Sequence, residues 1–312
     1  MAFYIGIDGG GTKTRCVVGD ETRVLANCTT GACNVVRVGV AQARAELHSA
    51  VRKVCEDANV SFEQIKRICI GAAGAARAEV AQHIRAILRE LTPTSVDVVG
   101  DTVIALEAAF GSGPGIIAIS GTGSIIYGRN RRGETARAGG WGYAISDEGS
   151  AQWIGRRAVW SILRAHDQGL ETKLTGLILK AWKLETLDEL VQKANAVPPP
   201  EFPALFPVVL RAASEGDATA KGLLADAANE LVEQTSIVIR RLFSCESAGI
   251  EEHVRVAMTG SVFRQSAEIR EIFYNQLRRA YPGIEMRSDL IEPVEGALAL
   301  ARKGDSSGQE KQ

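Results

Sequence analysis

An acidic residue followed by three glycines stands near the start of the chain, where an apolar run ends. Residues 5–14 read IGIDGGGTKT, and the run stops at Asp8. Because glycine lacks a Cβ atom, such a turn can bring backbone N–H groups against phosphate oxygens. A carboxylate beside phosphate is typical of a Mg²⁺ ligand. The motif fits a plain hairpin or a phosphate-binding turn, and Asp8 favours the second because a charge there has little structural use.

The same pattern of strand, glycine turn and strand returns just over a hundred residues later. Residues 115–130 read GIIAISGTGSIIYGRN. Neither turn matches the P-loop or the dinucleotide-binding fingerprint, because both of those need a helix directly after the glycines and here a strand follows. Both turns also carry hydroxyls, at Thr12 and Thr14 and at Ser120, Thr122 and Ser124. The repeat predicts two half-domains, each presenting one phosphate-binding hairpin, with the two turns converging on one cleft.

A second carboxylate, Asp101, follows the strand-like run SVDVVG and precedes a helical pattern. Asp101 or Thr102 could cap that helix. Alternatively, an aspartate at the end of a strand could accept the proton of an attacking hydroxyl as a general base. Both interpretations stay open from the residues alone.

The segment RAGGWGYAISDEGSAQWIG, residues 137–155, combines close-approach glycines, tryptophans and acids. Carboxylates bind adjacent hydroxyls and flat apolar faces cover a sugar ring, so the segment suits a polyhydroxylated ligand. We expect Asp147 to contact the ligand, and Trp153 to pack inward from a helix capped by Ser150 or Asp147. Asn34, in the predicted loop 29–39, could offer its amide to a sugar or stabilise the turn.

The elements that must position these residues alternate between strands and helices. After the first hairpin, a helix (42–58), a strand (65–74), a helix (77–91) and a strand (95–100) lead to the helix after Asp101, which predicts an α/β layer. Residues 151–190 and 211–245 are helical in pattern and are joined by the proline-rich VPPPEFPALFP. A strand near VRVAMTGSVF and a helix over PVEGALALARK complete the pattern.

Size and composition exclude several classes of protein. A chain of 312 residues predicts two domains or one large two-lobed unit. A net charge of −1 leaves no electrostatic footprint for nucleic acid or an anionic membrane, and no apolar run approaches the roughly 20 residues of a membrane span. The start of the chain has no signal-peptide pattern, and the six cysteines have irregular spacing without CxxC, so we expect buried thiols in a cytoplasmic protein.

Five segments together resemble the N-acetylglucosamine kinase and BadF/BadG/BcrA/BcrD ATPase family, within the actin, hexokinase and Hsp70 superfamily. In order they are IGIDGGGTKT, GDTVIALEAAF, IAISGTGSIIYG, GGWGYAISDEGSAQWIG and TGSVF, and the resemblance spans about residues 4–300. It implies duplicated actin-like, ribonuclease H-like lobes with a cleft between them. The first lobe would cover 1–112, completed by the helix 292–303, and the second would cover 113–291 with a helical insertion. Residues 304–312 would form a disordered tail.

The resemblance also implies roles for individual residues in an ATP-dependent amino-sugar kinase. Asp101 would be the base that activates the 6-hydroxyl, and Asp8 would lie by Mg²⁺. The nucleotide would be bound by Gly9, Gly10, Gly11, Thr12, Lys13, Gly121, Thr122, Gly123, Ser124, Gly260 and Ser261. The sugar would be bound by Asn34, Gly74, Asp101, Gly140, Trp141 and Asp147. The implied partners are ATP and an amino sugar, and a homodimer is plausible from the family.

One departure leaves the substrate open. The family's mammalian kinases have a serine before two glycines after one strand, and here GAAGAAR places Ala73 at that position. The lost hydroxyl leaves N-acetylglucosamine, glucosamine and N-acetylmuramic acid as alternatives. Two other functions remain: an ATPase that activates a 2-hydroxyacyl-CoA dehydratase, which needs cysteine ligands for an iron–sulfur cluster, and a catalytically silent sugar-binding regulator.

Overall fold

The computed structural model describes residues 2–245, 249–250 and 253–304. The strands are β1 Phe3–Gly9, β2 Thr14–Gly19, β3 Val24–Thr30, β4 Ile65–Ala72, β5 Ser95–Val99, β6 Gly115–Ser120, β7 Ser124–Arg129, β8 Thr135–Gly139, β9 Ser244–Cys245, β10 Gly249–Ile250, β11 Arg255–Thr259 and β12 Glu285–Leu290. The predicted disordered tail falls almost wholly on residues 305–312, outside the described residues.

The α-helices are α1 Val35–Asp57, α2 Ala78–Arg89, α3 Asp101–Phe110, α4 Ala151–Asp167, α5 Lys173–Trp182, α6 Leu187–Ala194, α7 Phe206–Ser214, α8 Ala218–Phe243, α9 Ser261–Gln265, α10 Ala267–Ala280 and α11 Pro293–Lys303. Short 3₁₀ turns occupy Phe62–Gln64 and Phe202–Leu205. None of the helices within the described ranges combines the length and apolarity needed to cross a bilayer.

Internal contacts divide the chain into two compact units. One unit comprises Met1–Gly113 and Ile291–Gln312, and the other comprises Pro114–Leu290. Each contains a five-stranded mixed sheet, in the order β3-β2-β1-β4-β5 and β8-β7-β6-β11-β12. In each sheet the first three strands form an antiparallel meander, and the last two run parallel to the central strand. The predicted α/β class with a repeated frame is confirmed.

The sheet of the first unit is covered on both faces. Successive residues of a strand point to opposite faces, so Ile5 and Ile7 join a core with α1 and α2, whereas Tyr4 joins a core with α3 and α11. Helix α11 lies directly on β1, because a methyl group on Gly6 would overlap the backbone nitrogen of Leu298. Helix α11 thus packs on β1 two residues before Asp8.

The core of the second unit is larger and mostly helical. Helices α4, α7 and α8 pack together beside the sheet, and Phe206, Phe263 and Phe273 are among the largest fully buried side chains. Ser150 caps α4 by accepting a hydrogen bond from the Trp153 backbone nitrogen at 3.1 Å. Trp153 packs partly buried against this core. Both features confirm the predicted capped helix.

The structure contains elements that the sequence analysis did not predict, and it corrects the starts of two helices. The strands β3, β8 and β12 and the helix α10 are among the elements that were not predicted. Helix α1 begins at Val35, inside the segment 29–39 that was predicted as a loop, although Gly39 interrupts it with φ 79° and ψ 166°. Gly100, in extended backbone, caps α3, so neither Asp101 nor Thr102 is the N-cap residue, and Asp101 is the first helical residue.

Five cysteines, Cys16, Cys28, Cys33, Cys55 and Cys69, are buried free thiols of the first unit, as predicted for small apolar side chains. The prediction for Cys245 concerns a side chain outside the described part of the structure.

Candidate functional site

The first glycine turn joins β1 to β2. Gly9 and Thr14 form the last pair of this antiparallel ladder, and the four residues between them make the turn. Gly10 donates its N–H to the Lys13 carbonyl oxygen at 3.0 Å. A methyl group on Gly10 would lie 2.8 Å from that same oxygen, so the turn itself requires glycine there. The Thr14 hydroxyl donates to the Gly31 carbonyl at 2.7 Å and thus has a structural role.

Asp8 lies near the end of β1, and Asp101 lies two residues after the end of β5, in the same sheet. Strands β1, β4 and β5 run parallel, so their carboxyl ends meet at one edge, where Asp8 is opposite Gly71 and Gly71 is opposite Val99. Burial, and secondly the negative charge of Asp101, raise the pKa of Asp8 to about 6. Burial also raises the pKa of Asp101, while the Thr102 N–H, donating to its Oδ1 at 2.9 Å, opposes this shift. The sheet edge therefore holds two interacting carboxyl groups that would gain from a cation.

Basic side chains flank these carboxyl groups. Arg15 lies opposite Asp8 in the ladder, and Arg15 and Lys13 both lower the pKa of Asp8. Arg15 also forms an ion pair with Glu292, the residue that precedes α11. Lys13, exposed on the turn, is a cation close enough to influence the carboxylate electrostatically.

Asn34 lies where the chain leaves β3 and enters α1. Its Oδ1 accepts hydrogen bonds from the backbone nitrogens of Val36 at 3.1 Å and Arg37 at 3.3 Å. The side-chain oxygen of Asn34 therefore has the structural role that the sequence left open. Cys33 lies next to the glycine turn, since a methyl group on Gly9 would come 2.9 Å from its Sγ.

Gly74 lies in the turn after β4, the strand that pairs with β1. Gly9 is opposite Ala72 in the parallel ladder, so this turn begins beside the end of β1. Arg77 donates its N–H to the Gly74 carbonyl at 3.0 Å. Gly74 has φ +82°, a conformation that suits glycine.

The second glycine turn joins β6 to β7 and is hydrogen-bonded both within itself and to the segment that starts α4. Ser120 and Ser124 form the last ladder pair, and Gly121 donates to the Gly123 carbonyl at 2.9 Å. The Ser120 and Ser124 hydroxyls donate to the carbonyls of Gly149 and Glu148, at 2.8 and 2.7 Å. These bonds tie the turn to the start of α4.

A helix start lies beside the second turn, although no helix follows it in sequence. Ala151 donates its N–H to the Gly121 carbonyl at 2.9 Å, and Gln152 donates to the Thr122 carbonyl at 3.2 Å. These amides are thus used by the turn itself. As predicted, a strand and not a helix follows each glycine turn in the sequence. The fold nevertheless places the start of α4, thirty residues further along the chain, beside the second turn.

Gly260 and Ser261 lie against the same turn. Gly260 has φ +109°, and a methyl group there would overlap the Ser120 carbonyl. A methyl group on Gly121 would lie 3.7 Å from the Ser261 backbone nitrogen, an ordinary contact. Two separate segments predicted to bind nucleotide are thereby adjacent in the second unit.

Asp147 connects the predicted sugar segment with the second glycine turn. It is buried, has φ +82°, and its Oδ2 would lie 2.9 Å from a methyl group on Gly123. Burial, and secondly Glu148, raise its pKa, while hydrogen bonds from the Gly142 and Ser124 backbones oppose the rise. Sequence spacing could not show this link, because the β7–β8 meander creates it.

Trp141 is exposed at the tip of the same segment, between Gly140 and Gly142, both with positive φ. The Arg137 guanidinium stacks on its ring, with 3.9 Å from Cζ to the ring centroid. A methyl group on Gly140 would meet Ile125 at 2.8 Å, so the segment turns close against β7. Arg137 was missed from the sequence because nothing in its spacing indicated this stacking.

Comparison with known proteins assigns the chain to a family. Residues 5–301 match the BadF/BadG/BcrA/BcrD ATPase family. The chain belongs to this family.

Curated relatives match this family member over nearly its whole length. The N-acetylmuramic acid/N-acetylglucosamine kinase of Clostridium acetobutylicum is 34% identical, over 97% of this chain and 99% of the relative. The N-acetyl-D-glucosamine kinase of Dictyostelium discoideum is 31% identical, over 96% and 97%.

Solved structures share the fold. A structural genomics target from Chromobacterium violaceum has a TM-score of 0.77 at 25% identity, covering 96% of this chain and 99% of that one. A ROK family glucokinase from Streptomyces griseus, solved with glucose and AMPPNP, has a TM-score of 0.58 at 17% identity, covering 97% and 100%. At that identity the second likeness concerns the fold alone.

Proposed function

We propose that this family member is an ATP-dependent kinase that phosphorylates the 6-hydroxyl of an amino sugar. The relatives from Clostridium acetobutylicum and Dictyostelium discoideum, named as amino-sugar kinases at over 30% identity, support the sugar-kinase class. The observation that supports the chemistry is the pair of carboxyl groups, Asp8 and Asp101, beside a glycine turn at one sheet edge.

In this proposal Asp101 is the general base. The sugar's 6-hydroxyl oxygen forms the new bond to the γ-phosphorus, the bond from that phosphorus to the bridging oxygen of ADP breaks, and the hydroxyl proton moves to the Asp101 carboxylate. The base must be ionised to act, and the Thr102 N–H, at 2.9 Å from Oδ1, favours that ionised form. Its place as the first residue of α3 fixes its backbone, so little reorganisation is needed.

Asp8 is proposed to hold Mg²⁺. Within the described residues no three carboxylate, histidine or cysteine side chains gather as a ready metal site. This suits Mg²⁺, which is commonly held by one or two carboxylates together with substrate phosphates and water. Burial and the charge of Asp101 raise the pKa of Asp8, which shows that its ionised form is disfavoured. A bound cation would stabilise that ionised form. The ion would supply charge neutralisation for the phosphates.

The two glycine turns are proposed to bind the phosphates of ATP. In the first, Gly9, Gly10, Gly11 and Thr12 present the backbone and Lys13 adds positive charge. In the second, Gly121, Thr122, Gly123 and Ser124 form the turn, and Gly260 with Ser261 lies against it. We expect the adenosine to approach this last pair.

The sugar is proposed to contact Asn34, Gly74, Gly140, Trp141 and Asp147. Trp141 offers an exposed aromatic face, and the Asn34 side chain offers its amide while its oxygen caps α1. A glucosamine kinase of Vibrio cholerae is 27% identical over 97% of this chain and 97% of the relative. We therefore keep N-acetylglucosamine, glucosamine and N-acetylmuramic acid as the candidate acceptors, in a cytoplasmic enzyme that could act as a homodimer.

The dehydratase-activator alternative is less well supported. Such an activator would present cysteine thiols to a cluster between subunits. The five cysteines whose side chains are described are all buried in the first unit, where they pack among apolar residues. No observation favours this alternative over the kinase.

The test is an ADP-release assay with Mg-ATP over a panel of the three amino sugars, glucose and mannose. We expect release that depends on an amino sugar and 6-phosphorylated product by mass spectrometry. ADP release that no sugar stimulates, from protein that binds nucleotide, would contradict the proposal. Product that carries phosphate at another hydroxyl would contradict the assigned position.

A further inference from the structure

Arg37 is positioned by a single helical turn at the start of α1. Asn34 caps this turn by accepting from the Val36 and Arg37 backbone nitrogens. Gly39, at φ 79° and ψ 166°, ends it and separates it from the long remainder of the helix. Arg37 therefore lies in a short capped turn that Gly39 sets apart from the rest of α1.

The guanidinium of Arg37 lies against the first glycine turn. A methyl group on Gly11 would be 3.4 Å from Nη1 and 3.9 Å from Cδ of Arg37. The guanidinium thus lies beside the face of Gly11 that carries no side chain, and the Arg37 side chain is exposed to solvent. Lys13 is exposed on the same turn, so two cations border one short stretch of glycine backbone.

This arrangement suits a phosphate group. The guanidinium is always charged, and its planar set of N–H donors matches the oxygens of phosphate. Glycine backbone without a Cβ lets a phosphate approach to the distance at which both the amides and Arg37 reach it. An arginine used only for solubility would need no such neighbour, and α1 offers many exposed positions away from the turn.

We propose that Arg37 binds a phosphate of the nucleotide that is not transferred. The inference rests on the proposed kinase function and adds to it a residue that the sequence motifs did not include. Asp8 and Asp101 mark the end of β1 as the proposed place of transfer, whereas Arg37 lies beside Gly11, in the middle of the turn. A phosphate that stays on the nucleotide keeps its contact in the ground state and the transition state, so its loss weakens binding with little change in kcat.

The experiment compares Arg37→Ala and Arg37→Lys with a matched control, Arg89→Ala. Arg89 is an exposed arginine in the last turn of α2 of the same unit. The affinity for Mg-ADP and Mg-ATP is measured by calorimetry without sugar, and kcat and KM are then measured with the best sugar of the panel. Circular dichroism confirms that each variant is folded.

Arg37→Ala should weaken the binding of both nucleotides about 10- to 100-fold, as expected for a lost hydrogen bond to a charged group. The KM for ATP should rise in parallel and kcat should stay within about threefold. Arg37→Lys should recover part of the affinity, and Arg89→Ala should bind like the wild type.

Two results would overturn the inference alone: binding by Arg37→Ala within twofold of the wild type, or a fall in kcat at unchanged affinity. A wild-type protein that binds neither nucleotide would overturn the proposed function, and the inference with it. The two failures are therefore distinguished by the wild-type measurement.

Discussion

The two units build the same sheet and place different chemistry on it. In each, a central strand enters a glycine turn and returns as an antiparallel neighbour, and two further strands run parallel to the central one. The parallel strand beside the central one is followed in each unit by a positive-φ glycine, Gly74 two residues after β4 and Gly260 directly after β11. A repeated frame thus supplies the same backbone features twice.

The side chains beside the two turns differ. Asp8 precedes the first turn, and it interacts with Asp101 at the same sheet edge. Ser120 precedes the second turn, and its hydroxyl donates to the Gly149 carbonyl. The first turn is therefore preceded by a buried carboxyl group with a raised pKa, whereas the second is preceded by a hydroxyl that is hydrogen-bonded within the protein. We infer that the repeated frame binds phosphates and that the first unit adds the reaction.

The largest effect should come from removing the proposed base. Asp101→Asn should lower kcat by about 10²- to 10⁴-fold, the usual contribution of general-base catalysis. The affinity for Mg-ADP should change little, because the proton transfer takes no part in nucleotide binding. Steady-state kinetics and calorimetry on the same preparation measure the two quantities.

Asp147→Asn is the matched variant in the second unit. Like Asp101, Asp147 is buried and has a raised pKa. The Asp147→Asn variant should lose sugar affinity far more than it loses kcat. Equal losses of kcat in the two variants would break the distinction between the units.

The second prediction concerns the stability cost of Asp8. Its pKa of about 6 in the folded protein exceeds the ordinary 3.8. The folded state therefore binds more protons than the unfolded state between these values, and stability falls as the pH rises from about 4 to 6. Asp8→Asn removes this penalty, so without Mg²⁺ the variant should be more stable than the wild type by at most about 3 kcal/mol at pH 7, and equal to it near pH 4.

Urea unfolding at a series of pH values measures this difference, with Ser120→Ala as the counterpart in the second unit. Losing the Ser120 hydrogen bond should cost about 1 kcal/mol at every pH. If the free energy of unfolding of Asp8→Asn depends on pH from 4 to 7 as that of the wild type does, ionisation of Asp8 does not destabilise the folded protein.

The sequence revealed the central hairpins and the alternation of strands and helices, because these segments are buried and apolar on a regular period. It did not reveal β3 or β8, which are the edge strands of the two meanders. Each pairs on one side only, and β8 reads TARAG, with just two buried residues. Their position depends on pairing with the preceding strand more than on their own composition.

The residues of the candidate site that belong to short sequence motifs could be predicted. The residues that only the folded chain brings together could not. Asp8 and the two turns could be predicted from short motifs. Arg37 could not, because its position depends on a helical turn that Asn34 starts and Gly39 ends. The contact between Asp147 and Gly123 joins residues 24 apart through a meander that the sequence pattern did not show.

The third prediction compares the two positive-φ glycines. Gly74→Ala should cost about 1 kcal/mol of stability from backbone strain, since a methyl group there meets only the movable Arg77 side chain at 3.3 Å. Gly260→Ala should cost about 3 kcal/mol, because its conformation is nearly exclusive to glycine and a methyl group would overlap the fixed Ser120 carbonyl. Chemical denaturation measures both losses, and equal losses would mean that the second turn yields to the added methyl group.

The variant with the smallest expected effect on stability tests most directly whether both glycine turns bind phosphate. Gly121→Ala should change stability by less than about 0.5 kcal/mol, because the added methyl group makes only ordinary contacts with Ser261 at 3.7 Å. Gly10→Ala in the first turn should cost more, since its methyl group would press on the Lys13 carbonyl at 2.8 Å. The structure without ligand thus explains the glycine at position 10 but not the one at position 121.

A bound phosphate would explain Gly121, because a methyl group there would stand where the phosphate approaches the backbone. Gly121→Ala should therefore keep its stability and lose nucleotide affinity, measured by calorimetry with Mg-ADP. If the variant keeps both, the second turn is a plain hairpin and the repeated frame binds phosphate only in the first unit. If it loses affinity alone, the absence of a side chain at position 121 serves the ligand and not the fold.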